Sequence, residues 1–183
     1  YTLWHTLSLH DALPIYGRKV SWEYHPEHID ICKVYLNKPL ESGESITITT
    51  PFRVKIPLGV TSRLGHIGQS YKITQWYPKP AVYDHRGWHP MPYRDMGEFY
   101  SEFGSFDVSI TLPENYVVAA SGQLQTQSEL QWLNERAVES EGRFSFDQSD
   151  MSIPASSGEY KTIRYTLENA HDFAWFADKR CHV

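Results

Sequence analysis

The strongest constraint on how this chain can fold is a run of strict alternation between Phe106 and Leu112. Phe106, Val108, Ile110 and Leu112 fall on one side of an extended chain, with Asp107, Ser109 and Thr111 on the other. Side chains of a strand alternate with period two, so the pattern predicts a strand with one face in a core and one in water. A slip of one residue would turn every apolar side chain outward, so the pattern also specifies register. Pro113-Glu114-Asn115 then reads as a turn, and Tyr116 to Ala120 as a short strand ending at Ser121-Gly122.

The same period recurs along the chain. Ile46-Thr47-Ile48-Thr49 alternates, and Phe52, Val54 and Ile56 continue the pattern after Pro51, punctuated by Ser42-Gly43 and Pro57-Leu58-Gly59. Phe144-Ser145-Phe146, and then Ile163, Tyr165 and Leu167, return to it. One stretch has helical spacing. Ser128 with Gln131 makes a capping box, Leu130, Leu133 and Ala137 space an apolar side, and Gly142 is a stop. The same stretch also fits a surface excursion between two strands. The expected fold is all-β: antiparallel, saddle- or sandwich-like sheets with one short helix, forming an incomplete domain.

Between Tyr71 and Phe106 aromatic residues crowd together with Pro78, Pro80, Pro90 and Pro92. Proline lacks an N–H and is excluded from central strands, so much of this region is expected to be irregular chain held by aromatic packing. Long ordered loops of this kind carry function or form interfaces.

A length of 183 residues suits one domain, and 40% hydrophobic with 21% charged residues suits a packed core. A net charge of −5 without any Lys/Arg run argues against nucleic-acid binding. No apolar stretch approaches the roughly 20 residues of a membrane span. Cys32 and Cys181 are far apart, and two thiols do not fix a compartment, so localisation stays open.

The first fifteen residues stand apart. They have no basic segment and no small-residue cleavage site, so they do not read as a signal peptide. Thr6 to Ile15 resembles one reading frame of a sequencing-library adapter, and ordinary amphipathic helix ended by Pro14 is the other reading. Residues 1–15 are therefore set aside as an expected artefact, and the native fold is sought in residues 16–183.

Few residues offer chemistry. His25 with His28 and His85 with His89 have metal-ligand spacings, but Gly87 and Pro90 argue for a loop and no third ligand is placed. The sequence contains neither H-E-x-x-H nor G-x-S-x-G. Gly65-His66-Ile67-Gly68 lacks the P-loop lysine and reads as a tight turn. Cys32, in Ile29-Asp30-Ile31-Cys32, reads as a small core hydrophobe. Glu98 and Glu102 could serve as an acid–base pair, but spacing alone favours surface groups. No catalytic residue and no metal ligand is assigned.

Three segments in order carry a resemblance. They are Gln75 to Asp84 (QWYPKPAVYD), Gly97 to Val108 (GEFYSEFGSFDV) continuing through Leu112 to Gly122 (LPENYVVAASG), and Glu168 to Asp178 (ENAHDFAWFAD). Together they resemble the N-terminal domain of bacterial aminopeptidase N-like gluzincin zinc metallopeptidases, over nearly all of residues 17–183. The resemblance implies a saddle of antiparallel sheets covering a catalytic domain that holds zinc. That domain would follow the Asp172–Trp175 strand, so this chain is expected to be a fragment without cofactor of its own. Its implied partners are the missing catalytic domain and a peptide substrate.

In such relatives the N-terminal domain walls the substrate pocket with a Gln-x-Gln or Gln-x-Glu element near the peptide's amino group. Gln75-Trp76-Tyr77 matches its first position and departs at Tyr77, and the F-P-C-F-D-E-P stretch of many relatives is absent. The candidate substrate-binding residues are thus Gln75 and Tyr77. Gln75 equally suits a strand residue satisfying a buried backbone group. The rival function is a free-standing β-sandwich module for carbohydrate or protein, with sugars stacked on Trp76, Trp88 or Tyr93.

Overall fold

The computed structural model describes residues 14–15, 18–59, 63–94, 96–141, 152–181 and 183. The chain divides into two compact units, Tyr1–Lys55 with Tyr77–Glu102, and Ile56–Trp76 with Phe103–Val183. The protein is all-β: its paired strands are antiparallel, and one helix is present among the described residues. That helix is not long and apolar enough to cross a membrane.

The first unit is built from two-stranded ribbons. β1 (Pro14–Ile15) pairs with β2 (Arg18–Lys19), β3 (Trp22–Tyr24) with β4 (Cys32–Val34), and β7 (Val82–Asp84) with β8 (Gly87–His89). Ile56–Trp76, between β4 and β7, belongs to the second unit. Buried Val20 packs with Val34 and Ile46, and the Asp30 carboxylate accepts the Tyr93 N–H at 2.5 Å, tying distant segments of this unit together.

In the second unit, β5 (Gly65–Ile67) and β6 (Ser70–Ile73) form a hairpin whose turn contains Gly68. The long strand β9 (Gly104–Pro113) is followed by β10 (Val117–Ala120), β11 (Gln123–Leu124), α1 (Gln127–Ser140), β12 (Tyr160–Ala170) and β13 (Trp175–Asp178). Two sheets result, ordered β10-β13-β6-β5 and β11-β12-β9. Their inward residues share one core. Ile110, Leu112, Ile163 and Tyr165 come from one sheet, Val118 and Ala177 from the other, with Tyr116 and the fully buried Phe173 among them.

The alternation of β9 is realised residue by residue: Phe106 and Val108 are half-buried, Ile110 and Leu112 buried, and Asp107, Ser109 and Thr111 exposed. Its register with β12 sets Ile110 opposite Ile163 and Val108 opposite Tyr165. On the wet face, Arg164 donates two hydrogen bonds to Asp107 at 2.6 and 2.7 Å, and the Thr111 and Thr162 hydroxyls meet at 2.8 Å. The Tyr165 hydroxyl donates to the Val118 carbonyl at 3.0 Å, joining the two sheets through the core. Gly122 is required by the turn into β11. It sits at φ +85, and a Cβ there would run into the Thr166 carbonyl oxygen.

Several expectations are corrected. Residues 46–49 and 52–56 form no strands, only single bridge positions at 48 and 53, and Ile48 is exposed. Alternation there is too short, and Pro51 withdraws a donor between the two runs. The helix begins two residues early, capped by Thr126 without a side-chain hydrogen bond. The Thr126 hydroxyl oxygen instead accepts the Arg164 N–H at 2.8 Å, and Gln131 bonds Glu135. Leu130 points to solvent, while Leu133 and Ala137 are half-buried as their spacing implies. Much of the 71–106 region is irregular as expected, with β6, the β7–β8 hairpin and the start of β9 set within it. Asp172 to Ala174 is not strand, and β13 begins at Trp175. Gly142 and Phe144–Phe146 lie outside the described residues, as do Thr6 to Leu13.

Asp178, at the end of β13, accepts two hydrogen bonds from the Arg180 guanidinium at 2.9 and 3.1 Å and one from the Arg180 N–H at 2.8 Å. The guanidinium contacts above all hold its carboxyl down at about 2. A carboxyl depressed on folding contributes stability that is present above its unfolded value near 4 and lost as pH falls towards 2. Wild-type protein should therefore lose stability more steeply than Asp178→Asn between pH 5 and pH 2 in urea titrations; parallel curves would count against the pairing. Phe173→Ala, which empties the centre of the core, should cost about 3–5 kcal/mol in the same assay.

Candidate functional site

The residues singled out for metal or acid–base chemistry do not converge. His25 and His28 stack with ring centroids 5.0 Å apart in the loop between β3 and β4, and His25 Nδ1 accepts the Glu27 N–H. His89 instead pairs with Asp84, Nε2 to Oδ1 at 2.7 Å, and His85 Nε2 faces Arg86 Nε at 3.4 Å. The hydrogen bond from His89, and then that of the Arg86 N–H, hold the Asp84 carboxyl below its usual value. Glu98 and Glu102 are exposed. Among the described residues no three His, Cys, Asp or Glu side chains are grouped to hold a metal ion. Cys32 and Cys181 are free, and burial pushes the Cys32 thiol up, away from the reactive thiolate. Gly65 to Gly68 is one strand and the turn of the β5–β6 hairpin, not a phosphate loop.

Gln75 is placed distinctively. It leaves β6 with φ +51, one of two non-glycine residues with positive φ among those described, and its side chain is half-buried. L-residues enter this region at a cost of roughly 1–2 kcal/mol, so the surrounding packing must hold it there. The next residue, Trp76, packs against the core and donates its indole N–H to the Phe173 carbonyl at 3.0 Å. The preceding Thr74 hydroxyl is buried without a hydrogen-bond partner, as is the indole N–H of Trp175, whose residue pairs with Ile73. With positive φ, Gln75 is not a regular strand residue.

Tyr77, the second candidate, falls in the other unit. It is half-buried, with the Lys79 ammonium 5.5 Å above its ring centroid.

The β7–β8 hairpin was missed by sequence reasoning, which weighted Gly87 and Pro90 as loop formers. Gly87 adopts φ +102, the conformation that lets Asp84-His85-Arg86-Gly87 reverse the chain. Two three-residue runs flanking a turn that ends in glycine were the available signal.

A cavity of about 690 Å³ runs along α1, lined by Gln127, Leu130, Gln131, Asn134 and Val138 among others. It is an open helix face.

Against family models, curated proteins and solved structures, the chain has no match.

The strain at Gln75 is testable. Gln75→Gly should raise stability by about 1 kcal/mol and Gln75→Val should lower it by at least as much, because a β-branched residue tolerates positive φ worst. Equal stabilities by urea denaturation would remove strain from the account of this locus.

Proposed function

We propose that this chain is the non-catalytic N-terminal β domain of an aminopeptidase N-like zinc metallopeptidase, contributing one wall of its peptide-substrate pocket. The observation that carries the reading is Gln75, held half-buried in a left-handed conformation at the exit of β6. Backbone strain of this kind clusters where geometry serves a ligand. In the proposed role the Gln75 amide takes the peptide's free amino group, with its oxygen as acceptor.

Supporting it, two of the segments that carry the resemblance are partners in the second unit: residues 117–120 pair with 175–178 through β10 and β13, and Gly104 pairs with Ala170 at the end of β9 and β12. Among the described residues no three His, Cys, Asp or Glu side chains are grouped to hold a metal ion, and the sequence has no H-E-x-x-H. Metal and catalysis belong, in this reading, to a catalytic domain of the same polypeptide.

The gene sequence downstream of Val183 tests the class. An H-E-x-x-H within about the next hundred residues, followed by a further glutamate, is the expected finding; its absence sinks the proposal. In the intact enzyme, Gln75→Ala should raise KM for an aminoacyl anilide more than it lowers kcat, the signature of lost ground-state binding.

A further inference from the structure

Phe173 ties a second polar side chain to the end of β6 where Gln75 sits. Its own side chain is completely buried, so its backbone cannot shift without opening the core. The Phe173 carbonyl accepts the Trp76 indole N–H at 3.0 Å, and the Phe173 N–H donates to Asp172 Oδ1 at 2.8 Å. Asp172 and the Gln75–Trp76 pair are thus fixed to one anchored residue. Strand register agrees. Ile73 of β6 lies opposite Trp175 of β13, the pair at which that ladder ends. Counting on from it along the two antiparallel chains brings Gln75 level with Phe173 and Trp76 level with Asp172. Gln75 and Asp172 leave the same end of the same strand pair, and both are half-buried.

A glutamine amide oxygen is a neutral acceptor, whereas a peptide's amino group, when protonated, brings a full charge and three donors. Moving an ammonium from water to a half-buried site is costly unless a carboxylate accompanies it. The connection from β12 to β13, Ala170 through Ala174, holds one carboxylate, Asp172. An ionised carboxylate offers about four acceptor positions, and the Phe173 N–H takes one of them. That contact sets the carboxylate in place without neutralising it. Capping a backbone N–H does not itself call for a charge, because an asparagine oxygen does the same.

We propose that Asp172 binds the α-ammonium group of the peptide substrate together with Gln75, the carboxylate supplying charge and the amide a directed acceptor. The assignment rests on the pocket-wall reading of Gln75 and extends it to a residue that the resemblance does not mark. Asp172 is in this role a binding residue, with no part in bond breaking.

The test uses the intact polypeptide and two ligands that differ only at the amino group: leucinamide, and 4-methylpentanamide, in which hydrogen replaces it. By calorimetric titration, wild type should bind leucinamide tighter than 4-methylpentanamide by about tenfold or more. Asp172→Asn keeps the oxygen that caps Phe173 and removes the charge. It should weaken leucinamide by a similar factor and leave 4-methylpentanamide where wild type has it. Asp172→Glu, which restores the charge on a longer arm, should recover part of the lost affinity. Unchanged leucinamide binding in Asp172→Asn, or equal weakening of both ligands, would overturn the proposal. Gln75→Ala is titrated alongside. Leucinamide weakened by Gln75→Ala but not by Asp172→Asn removes the role of Asp172 alone, whereas no weakening by either variant removes the pocket-wall reading with it.

Discussion

The second unit depends on the pairing of β9 with β12. These are its two longest strands, and their register sets an inward row of Phe106, Val108, Ile110 and Leu112 beside Leu167, Tyr165, Ile163 and Lys161. Such a row cannot be left in water: fully burying an aliphatic or aromatic side chain is worth about 1.5–3 kcal/mol. The second sheet supplies the cover, with Phe173 completely buried against Phe106 and Tyr165 at centroid distances of 6.1 and 6.5 Å. β6 lies inside that covering sheet, next to β13. The left-handed exit at Gln75 is thus anchored on its N-terminal side by a strand that cannot shift without exposing the core, and on its other side by Trp76. A strained residue can persist only between such fixed points.

The same row ends in a charge, and this shapes the helix. Lys161 lies on the core-facing side of β12, where its ammonium donates to the Glu129 carboxylate at 2.7 Å and sits 3.7 Å from the Trp132 ring centroid. Glu129 is 4% exposed. Removing ions from water is costly unless they are paired, and here the ion pair is supplemented by the aromatic face. Burial still pulls the Lys161 ammonium below its usual value, outweighing the pairing that supports it. Helix α1 therefore meets the sheet through Glu129 and Trp132 at Lys161, with Arg136 against the Trp132 ring, and Leu130 is left outside. A second ammonium, Lys179, is enclosed by the Gln69 amide oxygen, the Pro154 carbonyl and the Ser156 hydroxyl, pinning residues 154–156 to the end of β13.

What could be read from the sequence follows from these interactions. Phe106–Leu112 and Ile163–Leu167 were legible because a two-sided environment imposes period two on them, and Tyr116–Ala120, buried from Tyr116 through Val118, because turn residues bound it. Ile46–Thr49 and Phe52–Ile56 show the same alternation but find no partner strand, and pairing is a property of the fold, not of the segment. Ser128 satisfied a capping pattern that Thr126 fulfilled by position alone, since neither the Thr126 contact with Arg164 nor the burial of Glu129 by Lys161 is local in sequence. Gln75 was legible as a candidate through resemblance, whereas its backbone conformation was not, because glutamine carries no signal for positive φ. The hairpin at 82–89 was hidden by its brevity and by the prolines around it.

The exposed Tyr83–Trp88 pair of the β7–β8 hairpin and the conformation of Gln75 differ in how far stability could account for them. A cross-strand aromatic pair contributes roughly 0.2–1 kcal/mol to a ribbon, and a two-stranded ribbon alone is marginal, so part of the reason for Tyr83 and Trp88 is structural. At Gln75 the balance is simpler. Positive φ in a non-glycine residue acts against stability, and Gln75 is held there between β6 on one side and the core-packed Trp76 on the other. A feature that opposes folding asks for a functional reason more strongly than one that weakly assists it, which is why Gln75 carries the principal reading.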